Sequence, residues 1–298
     1  MASASSLSTG AWSTELSSSI LVLILSCNSR SYYGTSFPVN DLSLESLQYL
    51  TTNESLEDSA YFARTFQAEF LEGKEHPWIY YGGSYAGAKA AFARAGWPDV
   101  WWGAIASSGV TLAVEDYWEY FEPIRLHAPK ACMSLLASHT ELIDSLLGLK
   151  SPLLTRAVKG FFGLANVTSD ADFVNALTVP LGYWQAKNWD HNVGSDKFDD
   201  FCDTLTGGNA TSLSASPHSA RLAAEALLAA QRDGGAQGTG DAFQSLRKYA
   251  DWIKTNVVAR CPTADQDECF GTTGPEFRDE SLATWPWRSW TYQGAHCC

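Results

Sequence analysis

The chain has 298 residues, with 20 Lys and Arg against 33 Asp and Glu, a formal net charge of -13 and an isoelectric point of about 4.8. It carries no block of Lys or Arg, which argues against nucleic acid and anionic membrane surfaces as partners and suits acidic surroundings where much of the charge would be neutralised. Seven cysteines, Cys27, Cys132, Cys202, Cys261, Cys269, Cys297 and Cys298, lack the Cys-x-x-Cys spacing of a zinc site, so neither metal nor cofactor is expected.

In chain order, the apolar run from Ile20 to Leu25 is too short to span a bilayer. No Lys or Arg precedes Arg30, so it reads as a buried strand rather than a signal peptide; a cleavable signal is the alternative. Thr51 to Glu54 offers a capping box for a helix with Leu56, Ala60, Ala63 and Phe70 near one face. Trp78 to Tyr81 then reads as a strand that turns sharply at Ser84 into the Ala-rich run Ala88 to Ala95. Such a turn strains the serine backbone and crowds strand against helix, so the positions two residues either side must be small. Gly82 and Ala86 meet that demand. Gly96 to Asp99 stops the helix, and Val100 to Ser108 is an apolar run of strand length, which completes a parallel strand-helix-strand unit.

From about residue 111 the pattern becomes helical: an aromatic segment from Val114 to Leu126, then Met133 to Leu147, Ser219 to Arg232 and Ala242 to Val258. The Gly-rich stretch from Gly234 to Gly240 separates the last two. The tryptophans at 285, 287 and 290 with Tyr292 read as a strand and turn packed on the core or, functionally, as an apolar pocket. In an oxidising compartment Cys261 could pair with Cys269 and Cys132 with Cys202, although sequence does not fix the pairing.

Three ordered motifs carry a family resemblance. Ser31 to Pro38, Gly82-Gly83-Ser84-Tyr85-Ala86-Gly87 and Trp102 to Ser108 together resemble the lysosomal Pro-Xaa carboxypeptidase family of serine peptidases, which includes prolyl carboxypeptidase, dipeptidyl peptidase II and secreted fungal relatives. The likeness continues through Asp116 to Pro123 and reaches Trp290-Thr291-Tyr292-Gln293. It implies an α/β fold: a hydrolase core, here a partial parallel sheet with the nucleophile elbow, over residues 1–110, a large helical cap insertion over 111–283 and a return to the core over 284–298. Ser84 is then the nucleophile and the backbone N–H of Tyr85 an oxyanion donor, with Trp290 and Tyr292 as candidates for a proline-binding wall. Glu119 and Glu122 on the aromatic segment are candidates for a substrate amine or, more plainly, a solvated helix face.

Two departures qualify the resemblance. The Glu-His-Arg that usually precedes the Tyr-Tyr-Gly segment is replaced here by Cys27-Asn28-Ser29-Arg30, and after Gln293 the chain reads Gly294-Ala295-His296-Cys297-Cys298. The expectation is therefore a truncated or mis-joined version of a longer enzyme, whose signal would lie in sequence this chain lacks. A hydrolase triad runs Ser, then acid, then His on late loops. His127, His139, His191, His218 and His296 follow no predicted strand, so base and acid are expected to be absent. The expected function is a serine exopeptidase acting on proline-containing peptides, or an inactive or peptide-binding relative of the same lineage. A secreted or vacuolar/lysosomal setting suits the acceptor patterns for N-glycosylation at Asn53, Asn166 and Asn209. The expected partner is a peptide, not nucleic acid or membrane, and oligomeric state is left open.

Overall fold

In a computed structural model of the chain, the described residues are 31–71, 73–112, 114, 116–190, 192–207, 221, 223–225, 227, 241–282 and 287–296. The expected strand at residues 20 to 25, most of the 219–232 helix, the Gly-rich stretch, Trp285, Asn209, His191, His218, Cys27, Cys297 and Cys298 lie outside them. The chain divides into two compact units, Met1–Glu115 with Pro275–Cys298, and Asp116–Gly274.

In the first unit, a short helix α1 (Leu44–Leu47) precedes α2 (Thr52–Phe70). Thr51 caps α2, its hydroxyl accepting the Glu54 N–H at 3.1 Å, while its own N–H goes to Tyr49 O at 2.9 Å, so only one half of the capping box is built. Leu56, Ala60 and Ala63 are buried as expected, but Phe70 is 67% exposed. The apolar face continues to that residue while the core does not: Phe70 stacks on Phe66 at 4.9 Å.

Strand β1 (Trp78–Gly83), helix α3 (Tyr85–Gly96) and strand β2 (Trp101–Ser107) follow, with β1 parallel to β2 in a register running from Ile79 against Gly103 to Gly83 against Ser107. Trp101 is buried with Leu56, Ala63 and Ala93, and Trp78 and Tyr80 pack against that cluster. The opposite face is bare, with Ile79, Tyr81 and Ile105 at 48%, 70% and 52% exposed, unlike parallel sheets covered on both sides.

The second unit is helical in its described residues. The aromatic segment is less regular than expected: Val114, Asp116 and Tyr117 are not helical, a 3-10 turn covers Trp118–Phe121, and only then does α4 (Glu122–His127) begin, with a proline in its first turn. Glu122 pairs with Arg125 on an exposed face. Helices α5 (Lys130–Gly148), α6 (Pro152–Phe161) and α7 (Asp170–Leu177) follow, and Lys197–Thr206 and Asp241–Asn256 pack into the same core, as do Ala223 and Leu227. Cys132 is bonded to Cys202 and Cys261 to Cys269. The buried Lys159 ammonium is fully used, donating to Val167 O and Thr168 O and pairing with Asp170 at 2.7 Å. His139 is completely buried in α5, stacked on Tyr249 at 6.4 Å.

Candidate active site

Ser84 separates β1 from α3 and has φ 57 and ψ -126, a region sparsely populated for any residue with a Cβ. Holding it costs on the order of 1–3 kcal/mol, so the surroundings must over-determine the turn. They do so through the backbone: the Ser84 N–H donates to Ser107 O at 3.0 Å, and Ser84 O accepts from Gly87, Ala88 and Val110 at 2.9, 3.1 and 3.2 Å. The turn is thus tied to the end of β2 as well as to its own helix.

Steric demands agree. A Cβ on Gly82 would lie 2.0 Å from Ala86 O, which leaves no side chain but hydrogen at that position. Gly87 is as tightly held, since its Cβ would meet Ser107 O at 2.6 Å and the Gly109 Cα at 3.1 Å. That second requirement was not anticipated from sequence, although the Gly-x-Ser-x-x-Gly spacing carries it.

Ser84 is exposed and makes no side-chain hydrogen bond at the head of α3. Among the described residues no histidine or carboxylate is hydrogen-bonded to its Oγ. His139 is the histidine with a marked shift: burial holds its imidazole down to about 4, and among the described residues neither ring nitrogen has a partner. It is a packed core histidine.

Tyr85 begins α3, so its main-chain N–H lies at the positive end of that helix. Its side chain is engaged three ways. The hydroxyl shares a 2.8 Å hydrogen bond with Thr52 Oγ1 and accepts the Gln293 Nε2–H at 3.3 Å, and the ring meets Trp290 edge-on at 6.3 Å. Trp290, Tyr292 and Gln293 lie on a helix, Trp287–His296, where the sequence suggested a strand and turn. The aromatic and β-branched content at Trp287, Trp290, Thr291 and Tyr292 favours strand locally, but Ser289 and Gln293 are both buried at helical spacing. Trp290 is 47% exposed beside Tyr85, whereas Tyr292 packs on the cluster of Tyr32, Leu42, Leu47 and Leu50. Beneath α3, the buried Lys89 ammonium donates to Ser55 Oγ at 2.5 Å and ties the helix to α2.

Of the acceptor asparagines, Asn53 is exposed in the first turn of α2 and donates to Glu57 at 2.9 Å. Asn166 is exposed between α6 and α7, and the hydroxyl of its Thr168 donates to Asp267 at 2.5 Å.

Known proteins share this arrangement of sequence. Residues 3–153 match the family described as serine carboxypeptidase S28. The chain is 35% identical over 272 residues to a probable extracellular serine carboxypeptidase of Arthroderma benhamiae, covering 88% of this chain and 37% of that protein. It is 28% identical to the serine protease vicPb of Bipolaris victoriae, over 77% of this chain and 40% of the relative, and 29% identical to the thymus-specific serine protease of Mus musculus, over 54% and 33%. The chain therefore spans well under half the length of each. It belongs to the S28 family of serine peptidases.

Proposed function

We propose that this chain carries the nucleophile-bearing part of an α/β-hydrolase core, in which Ser84 Oγ attacks a peptide carbonyl. The observation that carries this reading is the strained Ser84 backbone between a parallel strand and a helix, a conformation that ordinary turns give to glycine and that here is held by a residue with a Cβ. In the acylation step the Oγ–C bond forms, the peptide C–N bond breaks, and the serine proton passes through a general base to the leaving amine. The Tyr85 N–H is suited to the developing oxyanion, because α3 fixes its direction before reaction.

The base and its orienting acid come from outside the described side chains on this reading, since neither His76, His127 nor His139 is hydrogen-bonded to Ser84 Oγ. A serine without a base is a weak nucleophile, and what remains is binding and oxyanion stabilisation. The same observation favours a second reading, an inactive or peptide-binding member of the lineage. The substrate class is a proline-containing peptide cleaved near one terminus, with exposed Trp290 beside Tyr85 as an aromatic wall for the proline ring. Residues 111–283 would form the cap over a core made of 1–110 and 284–298. A secreted or vacuolar/lysosomal site is supported by the charge of -13, the two disulfides and the extracellular description of the Arthroderma relative. Asn53 and Asn166, exposed as they are, are the acceptors for glycan there; Asn209 is proposed from its sequence pattern alone.

A chimera continuing this chain into the C-terminal part of the Arthroderma relative tests the reading. It should be labelled at Ser84 by a fluorophosphonate and cleave proline-containing peptides at acidic pH, while the 298-residue chain alone stays unlabelled. A folded chimera that is never labelled would refute the nucleophile assignment. Labelling of the chain alone, lost in Ser84→Ala, would show that it holds its own base.

A further inference from the structure

We propose that Gln293 is a positioning residue of the nucleophile turn, acting through the side chain of Tyr85. The inference rests on reading Ser84 as the nucleophile. Gln293 is 2% exposed, on the Trp287–His296 helix that also lays Ser289 and Tyr292 against residues 32 to 50. A buried primary amide costs free energy unless both of its ends are satisfied. Here they are: Oε1 accepts the Tyr33 hydroxyl at 3.0 Å, which orients the amide so that Nε2 donates to the Tyr85 hydroxyl at 3.3 Å. Thr52 Oγ1 holds the same hydroxyl from α2 at 2.8 Å. Thr52, 33 positions before Tyr85, and Gln293, 208 positions after it, thus converge on the side chain that follows the strained serine.

The consequence for the site is geometric. Tyr85 is the first residue of α3, and its N–H is the proposed oxyanion donor. Its side chain fixes where the first turn of α3 begins, and with it the backbone that Ser84 must hold at φ 57. The hydrogen bonds of Ser84 O and N–H secure the turn from the β2 side. The Gln293 clamp secures it from the other end of the chain. An apolar residue of similar length would fill the volume but supply no donor to Tyr85 and no acceptor to Tyr33. A packing role and a positioning role are therefore separable by substitution.

Site-resolved hydrogen exchange on the full chain tests this without requiring catalysis. The reporters are the amides of Ser84, Gly87, Ala88 and Val110, all bonded within the turn. Gln293→Met should raise their exchange at least about tenfold while the Lys130–Gly148 helix keeps its protection, because one clamp is lost and not the fold. Tyr33→Phe, a milder change for the case where Gln293→Met unfolds, should loosen the same four amides less. Gln293→Glu, whose carboxyl still accepts from Tyr33 and bonds the Tyr85 hydroxyl in either protonation state because that hydroxyl can itself donate, should lose less protection than Gln293→Met. Unchanged protection in both Gln293→Met and Tyr33→Phe would overturn the proposal. Fluorophosphonate labelling of the chimera reads the nucleophile separately: changed exchange with no labelling keeps the clamp and removes the catalytic reading, and labelling with unchanged exchange does the reverse.

Discussion

The turn at Ser84 and the helical unit are built on opposite terms. Around Ser84 the backbone is strained, the serine is exposed and three glycines, at 82, 87 and 109, are closed to any side chain or nearly so. In the helical unit Leu142, Phe162, Phe173, Phe198, Phe201 and Ile253 are essentially fully buried, a disulfide joins Cys132 to Cys202, and even Lys159 has all its donors engaged. One region invests in geometry and the other in burial. The lesson is that a breach of the rules of local conformation has to be held by its neighbours.

The largest effect expected follows from the close approach at Gly82. Gly82→Ala should cost at least about 4 kcal/mol or prevent the elbow from forming, because a Cβ there would overlap a main-chain carbonyl that cannot move without unwinding α3. Gly96→Ala in the same helix, where nothing lies within 4 Å, should instead be neutral or stabilising by up to about 1 kcal/mol. Urea unfolding of the two variants checks the contrast, and similar values for both would mean that the turn is not as closely packed as described.

The helical unit has its own weak point. Burial holds His139 down to about 4 from 6.5, so between those values the unfolded chain takes up a proton that the folded unit refuses. Its contribution to stability is complete above pH 6.5 and falls as the pH drops, by on the order of 3 kcal/mol at pH 4. The Tyr249 ring stacked on it offers no compensating charge, since burial raises that phenol and its hydroxyl already donates to Leu177 O. His139→Leu should flatten this acid limb, read as hydrogen exchange of the Lys130–Gly148 helix from pH 7 to pH 4; an unchanged limb would place the acid sensitivity elsewhere.

A smaller and opposite effect belongs to the serine itself. Ser84→Gly should raise stability by about 1 kcal/mol, because glycine reaches φ 57 without the Cβ penalty. Loss of stability in that variant, measured by thermal unfolding, would mean the serine is not strained.

The elbow was legible because its chemistry is local: Gly82, Ser84 and Ala86 between a strand and an Ala-rich helix state their own requirement. Helix α5 was equally readable from Leu135, Leu136, Leu142, Ile143 and Leu146. Helices α6 and α7 were passed over because each is short, yet Ser151-Pro152 and Ser169-Asp170 are N-cap signals, and both serines do cap their helices. The Trp287–His296 helix and the role of Gln293 were not legible at all. They depend on Tyr33 and Tyr85, partners 260 and 208 residues away, and no local pattern announces such contacts.

The central claim, that residue 84 sits in a turn prepared for a nucleophile, is tested most directly by Ser84→Cys. A thiol reacts without a separate base once ionised, and at the exposed head of α3 the helix N-terminus should favour the thiolate. The pH dependence of iodoacetamide alkylation, followed by mass spectrometry on the peptide containing residue 84, should give a midpoint at least about one unit below the roughly 8.5 of a free thiol. A midpoint at or above 8.5 would contradict the account.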